Sequence, residues 1–562
     1  MRSALSLLAS VLLAGPLPAQ APMLVKEPEK PVSLQRLPDG AWQADFGRDT
    51  FAQIELSLRS RSGGDTVLVH LGERLVDGRI WRAPTTTVRY RCIPVVLREG
   101  RHTYRLDIAP DRRNTGRDAV RMPADIGEVL PFRYCEIEGY DGPLRRSSLT
   151  RLSVHVPFND RAARFRSDNE VLDQVWDLCH HSVKATTFTG YYVDGDRERI
   201  PYEADALISQ LCHYAADTEF TTARRTLEHL LEHPTWPTEW ILQSVVIAWN
   251  DFLYSGDDTL LRRHYDLLKA HCLLALREDC GLISTTTGRQ TPEFLASIRR
   301  DGPLRDIVDW PHTGGTGLQP GQGGEDDGFV YTDFNAVVNA WFYKALTCMT
   351  DIAGHLGRTE DAAELAAAAA RVQKVFDTQL YDPVRGVYRD GLDTDHSALH
   401  TNVFALLFGL VPQERQERVV AFIKSRGMAC SVYGAQFLLD ALYEAGEADY
   451  AFSLLTGQGV RSWYNMIRVG STITLEAWDD SFKPNQDWNH LWGAAPGNII
   501  PFRLMGVQPL EPGFSRVRIH PQPGPLRRAD LTLPTCRGPI RVRIRGGRVR
   551  VRVPRGVEYV LD

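Results

Sequence analysis

The hydrophobic period of the chain changes twice along its length, and those two changes restrict the architecture more than any other feature. Between about residues 30 and 160, apolar side chains alternate: Ile54, Leu56 and Leu58 recur at every second position, and residues 66–70 follow a Gly63-Gly64 turn. A period of two is that of a strand with one buried face. Further short strands are expected at residues 87–95, 102–108 and 132–137, separated by Gly, Pro and Asp clusters. Such a series predicts a β-sandwich over 30–160.

After Phe165 the period lengthens to about 3.6, the repeat of an amphipathic helix. Val171, Val175 and Leu178 share one face, as do Ala204, Leu207, Leu211 and Tyr214. Similar stripes run through Leu242, Val246, Trp249 and Leu253, through Phe334, Val337, Trp341 and Ala345, and through Leu365, Ala369, Val372 and Val375. About a dozen helical segments joined by short loops predict an all-α toroid or solenoid over 165–505. Residues 279–329 carry no such stripe and are rich in Gly, Thr, Pro and Asp, the mark of a long functional loop. Alternation returns at Val517 and Ile519, and again in Ile540, Val542, Ile544, Val549, Val551 and Val553, which predicts a small β-domain over 506–562.

The chain has 562 residues, 43% hydrophobic and 24% charged, a globular composition too long for one core and therefore multidomain. Its formal net charge of −5 offers no basic field, so nucleic acid is not an expected partner. Residues 1–19 combine Arg2, an apolar run and small residues before Gln20, the order of a signal peptide. The run is too short to span a bilayer, so a secreted or periplasmic protein without membrane insertion is expected. Nine cysteines contain no CxxC pair, so their spacing gives no zinc or redox motif. Their odd number beyond residue 19 leaves at least one without an intramolecular partner.

Two segments concentrate polar chemistry. Residues 191–205 hold Asp194, Asp196, Glu198, Glu203 and Asp205 with Arg197 and Arg199, between two helical stripes. Read alone, that is a solvated, salt-bridged turn. Residues 470–480 place Glu476 between Leu475 and Trp478, where burial would raise a carboxyl pKa and suit proton transfer. The segment continues into Asp487, Trp488, Asn489 and His490. Glycoside hydrolysis needs such a pair: an acid to protonate the leaving oxygen and a carboxylate acting on the opposite face of the sugar. Trp236, Trp240, Trp310, Trp341, Trp478, Trp488 and Trp492 supply aromatic faces suited to a pyranose.

At these two segments the chain resembles the α-L-rhamnosidases of glycoside hydrolase family 78, over most of its length and most strongly at the acidic loop and residues 476–493. The resemblance implies an (α/α)6 catalytic barrel flanked by β-domains, and an inverting, exo-acting hydrolase of terminal α-L-rhamnose without an obligatory cofactor. It assigns the general acid to Glu198 and the general base to Glu476, with Asp194, Arg197, Asp205, Asp309, Trp310, Trp478 and His490 as substrate-binding residues. The usual family loop has Cys-Pro after its first Asp and Trp-Thr-Gly before its last, where this chain has Gly195-Asp196 and Tyr202-Glu203-Ala204. In a shifted register Asp196 or Glu203 would be the acid. Another deoxy sugar or a uronic acid remains open as substrate, as does a carbohydrate-binding protein without catalysis. A Ca²⁺ ion at the acidic loop also stays open.

Overall fold

The computed structural model describes residues 23–562 except 316, 317 and 320, so the leader expected at residues 1–19 lies outside the described residues. The N-terminal region forms two antiparallel five-stranded sheets. One runs in the order Val25–Glu29, Leu149–His155, Phe51–Ser60, Leu130–Pro131, with Gly100–Arg105 also paired to Phe51–Ser60. The other is ordered Ser33–Arg36, Trp42–Asp45, Tyr134–Glu138, Thr66–Gly72, Tyr90–Val96. Ile54, Leu56 and Leu58 of the first sheet share a buried core with Val67, Val69, Leu71 and Ile137 of the second. That is the interleaving of a sandwich. The strand expected from residue 87 starts at Tyr90 instead, because Thr87 and Arg89 turn away to the helical domain: Thr87 Oγ1 donates to the Gln486 carbonyl and Arg89 ion-pairs with Asp196.

Fourteen α-helices follow among the described residues: α1 (Glu170–Thr186), α2 (Glu203–Ala216), α3 (Thr221–Glu232), α4 (Thr238–Ser255), α5 (Thr259–Ala270), α6 (Pro292–Ser297), α7 (Ala336–His355), α8 (Thr359–Val375), α9 (Leu399–Leu407), α10 (Gln413–Arg426), α11 (Val432–Glu444), α12 (Ala448–Leu455), α13 (Trp463–Arg468) and α14 (Pro496–Ile499). They divide by burial. In α4 every residue from Thr238 to Ala248 is buried, whereas α10 buries only Val419, Val420 and Ile423. A helix covered on all sides belongs to an inner layer, and one with a single apolar stripe to an outer layer. Contacts agree: α2 touches α4, α4 touches α7, α7 touches α9, α9 touches α11, α11 touches α14 and α14 returns to α2. Outside them α1, α3, α8, α10 and α12 lie against α2, α4, α7, α9 and α11 respectively. Asn169, Asn335 and Ser431 cap α1, α7 and α11 through their side chains. The short α6 lies within the long loop where no helix is expected; its N-cap Thr291 and Pro292 start it, but six residues are too few to show a stripe.

The C-terminal strands form two sheets. Val507–Pro509, Arg516–Ile519 and Glu558–Leu561 make one. In the other, Arg528–Leu533, Ile540–Arg545 and Arg548–Arg552 are joined by Arg164–Ser167, which lies just before α1. Val517, Leu531, Val542 and Ile544 share one continuous core with the helices. Gly256, at the end of α4 with φ +77°, abuts Gly513; a Cβ there would stand 3.1 Å from the Gly513 Cα. None of the nine cysteines is paired, and Cys135, Cys179, Cys212, Cys272, Cys348 and Cys430 are buried. No described helix is long and apolar enough to cross a membrane.

Where the sandwich meets the helices, Phe51, Val129 and Val154 enclose Phe188 and Val193 of the acidic segment, and the rings of Phe51 and Phe188 stack at 3.5 Å between centroids. Phe51→Ala is expected to cost about 3 to 5 kcal/mol, read as a lowered urea midpoint. Leu68→Ala, at a side chain that is 38% exposed, should shift stability by less than about 0.5 kcal/mol.

Candidate active site

The acidic loop between α1 and α2 closes on itself. Asp194 N–H donates to the Ile200 carbonyl at 3.0 Å, and Ile200 N–H donates to Asp194 Oδ1 at 2.9 Å. Gly195 has φ +98°, and a Cβ there would lie 2.8 Å from Asp487 Oδ2. Glycine is therefore required at this position, where the usual family loop carries cysteine. Asp196 is an anchor rather than an acid: its buried carboxylate takes Arg89 from the sandwich, Arg199 at 2.7 Å and Asn114 at 3.1 Å. Glu203 is likewise set apart, buried at the start of α2 and accepting from the N–H and hydroxyl of Thr235.

Glu476 sits in the loop after α13. Its carboxylate accepts from Arg197 Nη1 at 3.0 Å, from Lys483 Nζ at 3.0 Å and from the Asp487 N–H at 2.9 Å. Burial pushes its carboxyl up, but Arg197 and Lys483 outweigh burial and hold it far below the ordinary value. This corrects the sequence expectation of a raised pKa. The desolvation is present; the cations that reverse its effect come from 279 residues away and from the far side of the loop. Glu198, which faces the same guanidinium, differs in exposure and in its other partner. Its side chain is 38% exposed, stands 3.4 Å from Arg197 Nε, and accepts from the Tyr202 hydroxyl at 3.2 Å.

Both glutamates line a cavity of about 180 Å³ with Asp194, Arg197, Tyr202, Asp205, Trp236, Trp240, Trp310, His490 and Trp492. Its wall is aromatic: Trp240 meets Tyr202, Tyr433 and Trp492 edge-on, Tyr433 stacks on Trp492 at 5.6 Å, and Trp492 stacks on His490 at 4.7 Å. Asp205 is fixed by His490 Nε2 at 2.5 Å. Among the described residues, Asp194 Oδ2, Asp205 Oδ2 and Trp240 Nε1 are buried without a hydrogen-bond partner. These atoms in the cavity wall are open to hydrogen bonds from whatever occupies it. Burial and the neighbouring Glu198 charge push Asp194 well up; burial also raises Asp205, against the opposing pull of His490.

The sequence-predicted Asp194, Arg197, Glu198, Asp205, Trp310, Glu476 and His490 are thus brought together. Asp309 and Trp478 are not among the lining residues. Asp309 is fully buried and binds His400 Nε2 at 2.7 Å and the Ser431 N–H at 2.9 Å, so it acts as the clasp that holds Trp310. Trp478 is turned inward, edge-on to Trp463 at 5.0 Å, with its indole N–H donating to the Cys430 carbonyl at 2.8 Å. Sequence reasoning missed Lys483, although a signal existed: it is the sole Lys or Arg between Arg468 and Arg503. Glu476, Asp487 and His490 offer ligand atoms within 4.8 Å of one another. Arg197 and Lys483 already neutralise Glu476, so this donor set does not fit a metal cation.

A family model described as the bacterial α-L-rhamnosidase 6-hairpin glycosidase domain matches residues 160–503, and one described as the bacterial α-L-rhamnosidase C-terminal domain matches 506–562. An α-L-rhamnosidase of Alteromonas sp. (strain LOR) is 25% identical over 525 residues, covering 85% of this chain and 53% of that protein. The solved α-L-rhamnosidase from Dictyoglumus thermophilum shares the fold with a TM-score of 0.75 at 18% identity, over 96% of this chain and 59% of its own. The Streptomyces avermitilis α-L-rhamnosidase complexed with L-rhamnose gives 0.74 at 18% identity, over 96% and 50%. The chain spans about half the length of these relatives. With the first model alone matching more than half of its residues, the chain belongs to the bacterial α-L-rhamnosidase six-hairpin glycosidase family.

Proposed function

We propose that this chain removes terminal α-L-rhamnose from glycosides by a single inverting displacement, and that its inner and outer helices form an (α/α)6 barrel around the site. The observation that carries the reading is the contrast between two glutamates on one small cavity: Glu476 buried and held ionised by Arg197 and Lys483, Glu198 partly exposed and held by a phenol. Glu198 delivers its proton to the glycosidic oxygen as the bond to the anomeric carbon breaks. Water attacks from the opposite face and gives its proton to Glu476. Asp194, Asp205, His490 and Trp240 meet the hydroxyls, and the tryptophan walls suit a 6-deoxy sugar, whose methyl group replaces a primary hydroxyl. Relatives named as α-L-rhamnosidases, one of them solved with L-rhamnose, support the choice of sugar.

The test is release of p-nitrophenol from a panel of aryl glycosides that includes the α-L-rhamnoside. Glu198→Gln and Glu476→Gln are each expected to lower rhamnoside kcat by about 10² to 10⁴. Activity on a different glycoside alone would keep the mechanism and discard the sugar, and rhamnoside turnover untouched by both changes would sink the site. NMR of the first-formed sugar should show the β-anomer.

Lys483 generates a pH prediction. Glu476 works as a carboxylate, so activity falls as pH drops through its depressed pKa. Lys483→Met removes one of the cations holding that pKa down, and the acidic limb of the pH–kcat/KM profile should move upward by about one to three units. Export to the periplasm or medium, which residues 1–19 support, predicts a mature chain that starts near Gln20 on N-terminal sequencing.

A further inference from the structure

Beside the sugar pocket lies a second, wider cleft of about 730 Å³. Tyr202 and Trp236 belong to the walls of both. Tyr202 donates its hydroxyl hydrogen bond to Glu198, the group that meets the leaving oxygen in the mechanism above. The side of the pocket bounded by Tyr202 is therefore the side on which the departing portion of the substrate lies. The cleft wall is also tied to the catalytic loop directly, since Val120 N–H donates to the Arg199 carbonyl at 2.9 Å.

The charge of this cleft is opposite in sign to that of the molecule. The whole chain carries −5, yet the cleft is lined by Arg117, Arg121, Arg225, Arg299 and Arg300 against only Asp118 and Asp301. Among the described residues, no carboxylate lies within 4.0 Å of the guanidinium groups of Arg121, Arg225 or Arg300. Arg225 is held over the Tyr191 ring at 4.0 Å, and Arg300 donates to the Pro234 carbonyl at 3.3 Å while its Nε is buried without a partner. Arginines oriented by an aromatic face and a backbone carbonyl, with no carboxylate in ion-pair reach, present forked donors to an incoming oxyanion. His229, also on this wall, is pushed down to about 4 by burial and by His233 and Arg225, so it is neutral near pH 7 and available as a hydrogen-bonding group.

We propose that this cleft binds an acidic sugar on the leaving-group side, so that the preferred substrate is a rhamnoside whose neighbouring residue carries a carboxylate or a sulfate. The proposal rests on Glu198 as proton donor, and its test separates the two. Hydrolysis of α-L-rhamnosyl-D-glucuronic acid is compared with that of the α-L-rhamnosyl-D-glucose of the same linkage and its glucose 6-sulfate analogue. Each is measured in wild type and in the double variant Arg225→Gln/Arg300→Gln, with p-nitrophenyl α-L-rhamnoside as control. The expected result is a wild-type kcat/KM at least about tenfold higher for an acidic disaccharide than for the neutral one. That preference should vanish in the double variant and shrink in 0.5 M salt, while p-nitrophenyl rhamnoside turnover stays within about twofold. A preference for the glucuronide alone identifies a carboxylate site, and preference for the sulfated sugar alone a sulfate site. Equal turnover of acidic and neutral disaccharides, or a preference that survives the double variant, overturns the proposal. If no rhamnoside is hydrolysed at all, the catalytic reading fails, and calorimetric titration with the same glucuronide decides the cleft: binding lost in the double variant retains it, and no binding to the wild type sinks it.

Discussion

The ion pair between Arg197 and Glu476 is the interaction on which the rest of the site depends. It joins the loop after α1 to the loop after α13 across 279 residues, and it is formed out of water. A buried carboxylate cannot remain charged without such a partner. Once Arg197 is committed to Glu476, the neighbouring Glu198 is left at the rim with only a 3.4 Å approach to the same guanidinium and a phenolic hydrogen bond. One arginine thus sets two adjacent acids into different environments. The reverse face of the same loop is fastened to the sandwich as well, Asp196 pairing with Arg89 and Arg199 with Glu128. The helices supply the frame, and charge pairing supplies the positions within it.

Much of the fold was legible because burial leaves a periodic trace. Ile54, Leu56 and Leu58 announce a sheet face, and the stripe through Trp341 announces α7. The departures arise where a residue answers to something distant. Thr87 and Arg89 read as strand by pattern but are drawn off to Gln486 and Asp196. Arg164–Ser167 is too short for alternation to register, and its partner strand, Arg528–Leu533, lies at the other end of the chain. In the site, composition exposed the acids but not their state. Glu476 beside Leu475 and Trp478 shows its desolvation in the local sequence, whereas the sign of its pKa shift depends on Arg197 and Lys483. Side-chain direction was equally hidden: Trp310 and Trp478 are both loop tryptophans beside an acid, yet one lines the cavity and the other packs on Trp463.

The two concavities differ in the way their work differs. The inner one is small, walled by tryptophan and provided with a few buried polar atoms, which suits close fitting of one ring. The outer one is wider and draws on the sandwich residues 117–121, helix α3 with the loop that follows it, and the loop at Arg299 and Arg300, together with Tyr191 and residues 200–202 of the acidic loop. Variation in the segments outside the acidic loop leaves the glutamates untouched. Recognition beyond the first sugar can therefore diverge among related chains without disturbing the chemistry.

The strand Arg164–Ser167 has a consequence for how the molecule is made. It emerges from the ribosome ahead of every helix, yet the edge it pairs with belongs to Arg528–Leu533, which is synthesised after all of them. During translation the sandwich has its own core to collapse on, but this strand waits for its ladder partner until residues 528–533 are made. The helical core and the C-terminal sheets share one apolar interior, so completion of the native state is a late, long-range event.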